Sequence, residues 1–133
     1  MPTFTIQLAD LQAEGPVVET SLASVSPGSK AQPLPTLALV DTGATVTVVG
    51  EDLVRRLGLN PVGTALVNTP SSSSVLCFKY IVRLILPHDI AMEVVALGTP
   101  LEGQNIQCLI GRDVLQRAVF VYTGYTNTFT LSF

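Results

Sequence analysis

An acidic side chain at the end of an apolar strand is costly to place unless it is paired or put to use. Asp41 stands in that position, after Leu37-Ala38-Leu39-Val40 and before Thr42-Gly43-Ala44. Gly43 has no Cβ and lets the backbone come close to a ligand or a second chain. The Thr42 hydroxyl can both donate and accept a hydrogen bond. The chemistry on offer is acid and base work by a carboxylate. The triplet alone is weak, because it arises by chance in about two of a hundred chains of this length. A turn aspartate capping a strand end would look the same. A second motif sharpens the reading: a further apolar strand runs into Leu109-Ile110-Gly111-Arg112-Asp113-Val114-Leu115.

Other chemistries find little support. His88, the only histidine, lies between Pro87 and Asp89 and reads as a turn residue. Ser71, Ser72, Ser73 and Ser74 read as loop, with no base beside them to make a nucleophile. Cys77 and Cys108 lie in apolar runs and read as buried free thiols, which points to a reducing, cytoplasmic setting. Neither has a Cys or His at zinc spacing, so no metal and no cofactor is expected. Seven Lys and Arg against ten Asp and Glu, with a pI near 4.9, leave no basic footprint for nucleic acid. No apolar run approaches the ~20 residues of a membrane helix. The first ten residues lack a basic region followed by an apolar one, so no signal peptide is expected. Asp41-Thr42-Gly43-Ala44-Thr45 also fits the Asp-x-Gly-x-Thr phosphate loop of sugar-kinase and actin-like ATPases. Those folds need two α/β domains, far more chain than is present.

The elements that must position Asp41 are mostly strands. The chain has 133 residues, enough for one domain with a sizeable core. Charged residues are 13%, about half the usual ~25%, and mean hydropathy is +0.49. Alternation over residues 4–8 and apolar spacing over 17–25 predict strands, with residues 26–33 as a surface loop. Residues 36–40 form the strand before Asp41. Residues 45–49 are β-branched throughout and predict another. Glu51 to Gly58 carries acids first, bases last and a glycine after, the polarity of a short helix burying Leu53, Val54 and Leu57. Residues 66–75 read as turn, 75–86 and 90–97 as strands, and 98–107 as loop. Leu109 onward begins as a strand and turns helical, with Asp113 near an N-cap. Residues 119–122 and 126–133 are the last strands. The outline is all-β: a small barrel or sandwich with one or two short helices.

The two motifs in this order resemble the retropepsin-like aspartic proteases, the family of retroviral proteases and their cellular and bacterial relatives. The likeness spans residues 17–133, and the strand and short helix over residues 45–59 look like the cellular and bacterial branch. It implies a small closed barrel of the retropepsin type, active as a homodimer on peptide or protein substrates. Amide hydrolysis without a covalent intermediate needs a base for water and an acid for the carbonyl oxygen or leaving nitrogen. Two carboxylates a few Å apart supply both, since they cannot both ionise cheaply and share a proton. This chain has a single Asp-Thr-Gly, so the second carboxylate must come from a second copy, across a two-fold axis.

The resemblance assigns Asp41 to the water, Thr42 to a bond across the axis, and Gly43, with Ala44 beside it, to the substrate backbone. Gly111, Arg112 and Asp113 brace the loop. Asn68, Thr69, Pro70, Ser71, Ser72, Ser73 and Ser74 fall where the family carries its flap, a hairpin over the substrate. Val40, Val46, Val48, Ile110 and Val114 are candidates for framing its pockets. The alternative is a catalytically weak or inactive dimer that binds peptides or holds partners together. There are departures from the viral pattern. Thr45 stands where viral enzymes carry an acid that pairs with the arginine, which leaves Asp113, Glu51 or Asp52 as candidate partners for Arg112, or no partner at all. The flap segment has no glycine. The terminal strands could join a sheet woven between two subunits.

Overall fold

The computed structural model describes residues 1–26, 28, 32–69 and 72–133. Its strands are β1 (Thr3–Gln7), β2 (Val17–Ser24), β3 (Leu34–Val40), β4 (Val48–Gly50), β5 (Gly63–Thr69), β6 (Ser72–Leu86), β7 (Ile90–Thr99), β8 (Cys108–Ile110), β9 (Val119–Thr123) and β10 (Thr128–Ser132). Three short helices, α1 (Leu11–Glu14), α2 (Glu51–Arg56) and α3 (Arg112–Leu115), punctuate them. The larger sheet runs β2-β3-β8-β4-β7-β6-β5, and β2 also pairs with β6. That extra pairing closes six strands into a barrel and leaves β5 outside the ring. The expected all-β closed barrel is therefore what forms.

Alternation builds the core. Val82, Leu84 and Leu86 of β6 point inward, as do Ala38 and Val40 of β3, and Ile110 of β8 is fully buried. Phe129 and Leu131 of β10 and Phe4 of β1 seal one end. Helix α2 ends where expected, at Gly58 with φ +64, and buries Leu53, Val54 and Leu57. Helix α1 was not legible as such. It forms because the Asp10 side chain accepts from Ala13 N while Glu14 Oε2 accepts from Asp10 N, at 3.1 and 2.9 Å. His88 does lie in a tight turn, with φ +62, between β6 and β7.

Three other expectations need correction. The strand predicted over residues 45–49 begins only at Val48, because residues 45–47 are drawn into contacts with α3. The N-cap of α3 is Gly111, and Asp113 sits inside the helix. The stretch 66–75 is not plain turn: β5 and the start of β6 pair through it from Gly63↔Lys79 to Thr69↔Ser72. The terminal strands pair within the chain, as a three-stranded sheet β1-β10-β9, with β1 and β9 at its edges.

Candidate active site

Asp41 leaves the barrel at the end of β3, half-buried. Its backbone N–H donates to the Ile110 carbonyl at 2.9 Å, so β8 holds the point where the chain turns out. Its Oδ1 accepts from Gly43 N at 2.9 Å, and its own carbonyl accepts from Ala44 N at 3.1 Å. The carboxylate thus closes a tight turn over its own loop. Oδ2 is not part of that bond. Thr42 and Gly43 are exposed at the tip.

The second motif braces this loop from behind. Arg112 Nη1 donates to the Thr42 carbonyl at 2.7 Å and Nη2 to Thr45 Oγ1 at 3.2 Å, while Arg112 N donates to the Ala44 carbonyl at 2.8 Å. The acids considered as partners for Arg112 are not used. The ion pairs among the described residues are Asp52–Arg55 and Glu93–Arg83. A guanidinium offers several donors in a fixed fork, so a carbonyl and a hydroxyl can replace the missing acid.

Asp113 faces inward. Its Oδ1 accepts from Thr47 Oγ1 at 2.9 Å and from Val114 N at 3.0 Å. Thr47, fully buried, also accepts from Gly111 N at 3.2 Å. Gly111 is required for closeness: a Cβ there would lie 2.5 Å from the Val46 carbonyl carbon and 2.6 Å from its oxygen. Thr47 is therefore the joint between the two motifs, and the sequence reading missed it. In a β-branched run a threonine looks like any strand residue, so no signal marks it. Cys108 lies in the same interior. Burial, aided by the Asp113 charge, pushes its thiol up to about 12. Both cysteines are buried free thiols.

Beside the loop lies a cleft of about 680 Å³. Gly43, Ala44, Thr45, Val46 and Val48 line it from the Asp41 loop to β4, and Ala65, Leu66, Val67 and Asn68 of β5, with Lys79, Val95 and Leu97, line the rest. Asp41 itself is outside the lining, two residues before Gly43. Of the residues expected to frame pockets, Val46 and Val48 do so, whereas Val40, Ile110 and Val114 are buried in the core. The flap segment is the β5–β6 hairpin. Asn68 Oδ1 accepts from Ser74 N at 2.9 Å, and the pairing slips between Val67 and Thr69. Pro70 and Ser71 lie outside the described residues. The hairpin exposes apolar side chains, Leu66 at 69% and Phe78 at 48%. Among the described residues no three His, Cys, Asp or Glu side chains gather as a metal site.

A profile of aspartyl proteases matches residues 23–114, which include both motifs and the hairpin. The chain belongs to the aspartyl protease family. No individually curated protein matches the sequence. Among solved structures, a retropepsin-like aspartic protease from Rickettsia conorii is similar in fold, with TM-score 0.58 and 13% identity over 98% of this chain and 91% of that one. The aspartyl protease fold here is thus of the retropepsin type, as the two motifs implied.

Proposed function

We propose that the protein is an aspartic endopeptidase that works as a homodimer, with one Asp41 from each subunit. The observation that carries the reading is the pairing of one braced Asp-Thr-Gly loop with an open cleft under a hairpin. One Asp41 carboxylate takes a proton from water as the water oxygen attacks the peptide carbonyl carbon. The partner's carboxylic acid donates its proton to the carbonyl oxygen. The C–N bond then breaks as the first Asp41 passes its proton to the nitrogen and a hydroxyl of the gem-diol returns one to the partner's Asp41, which leaves acid, amine and a singly protonated dyad. An extended peptide is held by strand-like hydrogen bonds and apolar pockets, and hairpin closure excludes water.

The surface beside the loop supports the dimer. Thr42, Arg112, Leu115, Gln116 and Phe120 frame a shallow, almost wholly apolar depression. Edge strand β9 adds exposed Val119, Val121 and Tyr122. A two-fold axis near Thr42 would bury both.

The test is cleavage of a diverse peptide mixture at mildly acidic pH, read by mass spectrometry, for wild type and Asp41→Asn. Asparagine keeps the oxygen that accepts from Gly43 N, so the fold should survive. Cuts made by the wild type alone, with specific activity falling on dilution below the dimer range, are expected. If both proteins are folded dimers and neither cuts, the peptide-binding alternative replaces this reading.

A further inference from the structure

The register of the cleft wall places one charge in an apolar row. Gly63 pairs with Lys79, Lys79 with Leu97, and Leu97 with Val48, so these four residues lie side by side across β5, β6, β7 and β4. Directly opposed residues share a face of a sheet. Lys79, Leu97 and Val48 all line the cleft, and Gly63 contributes no side chain to the row. A Cβ built on Gly63 would sit 3.6 Å from Lys79 Cδ, so the lysine stem runs over the glycine. Lys79 is half-buried, and neither ion pair among the described residues includes it. Among the described residues it is the only charged one in the lining, and none of them there is a carboxylate. A lysine set between Gly63 and Leu97 in this row, with no carboxylate among the described lining residues to pair it, favours an anionic group that enters the cleft.

We propose that Lys79 makes this cleft selective for substrates carrying an acidic side chain, a glutamate or aspartate of an extended peptide lying along the wall. The proposal rests on the peptide-cleaving reading above and adds the substrate class. A partly desolvated pair of this kind discriminates an acid from its neutral amide about five- to tenfold, less at high salt.

The test uses octapeptides with apolar residues in which glutamate or glutamine is moved through each position. Binding is measured by fluorescence anisotropy on the Asp41→Asn protein, which does not turn peptides over. Cleavage rates are measured on the wild type. Expected is one position at which the glutamate peptide binds five- to tenfold tighter. Lys79→Gln should remove that ratio, and Lys79→Glu should reverse it, so that the glutamine peptide binds tighter than the glutamate one. A ratio within twofold at every position, a preference that survives Lys79→Gln, or no binding of any peptide overturns the proposal. Cleavage abolished by Asp41→Asn but indifferent to the acid would sink the lysine's role and leave the protease standing. A Lys79-dependent preference with no cleavage by the wild type would do the opposite.

Discussion

Replacing Thr47 by valine tests the joint between the two motifs. Valine matches threonine in shape and suits a strand at least as well, so a packing argument alone expects no loss. The hydrogen bonds argue otherwise. Thr47 Oγ1 donates to the Asp113 carboxylate at 2.9 Å and accepts from Gly111 N at 3.2 Å, in a site with no exposure. A hydrogen bond to a charged group contributes about 1.5–3 kcal/mol, and a stranded buried N–H costs about 1–3 kcal/mol. The two overlap, because the freed groups relax together, so Thr47→Val should cost about 3 kcal/mol. Thr47→Ser keeps the hydroxyl and loses one buried methyl, about 1 kcal/mol. Urea unfolding of both variants at one fixed protein concentration would read the difference. At this chain length the valine variant should also melt about 10 °C lower. A double-mutant cycle with Asp113→Asn should show coupling of about 1 kcal/mol or more. Valine as stable as wild type, or more stable than serine, would refute the assignment of Thr47 as a polar joint.

Two further outcomes follow from named groups. Arg112→Met should cost under about 1 kcal/mol of stability, since the side chain is exposed, yet cut kcat at least tenfold by releasing the Thr42 carbonyl and Thr45; unchanged kcat would remove the bracing role. The Cys108 thiol is held near 12 in the fold against 9.0 when exposed, so the unfolded chain gives up a proton first and stability falls as pH rises from about 9 towards 12. Relative to Cys108→Ala, wild type should lose about 1 kcal/mol between pH 8 and 10 in denaturant titrations, and an equal response of the two proteins would count against it.

Much of the fold could be read in one dimension because it rests on local pattern. Alternation in residues 4–8, the long apolar run over 75–86, the acid-to-base polarity of α2, and the glycine after it are short-range signals. They report which face is apolar and where a helix stops. The Asp41 loop was legible for the same reason: the apolar strand, the acid and the glycine are contiguous. Its partner motif, Ile110-Gly111-Arg112, was legible as a family pattern.

What failed was everything set by contact between distant residues. The β-branched run over residues 45–49 predicts a strand, yet Arg112 and Asp113 claim Thr45 and Thr47 as hydrogen-bond partners and delay the strand to Val48. Strand β5 was hidden because its pairing with β6, not its own polar composition, makes it a strand. Arg112 was short of an acid in sequence, and only the fold supplied a carbonyl and a hydroxyl instead. Lys79 had a faint mark, a charge inside an apolar run, but its place beside Gly63 and Leu97 comes from register. By itself, then, the sequence determined the strand-rich class, the short helix α2 and which aspartate stands as the candidate acid. Barrel closure through β2 and β6, the joint at Thr47 and the charge in the cleft were decided by tertiary structure, because hydrogen bonds and strand register join residues that no local period connects.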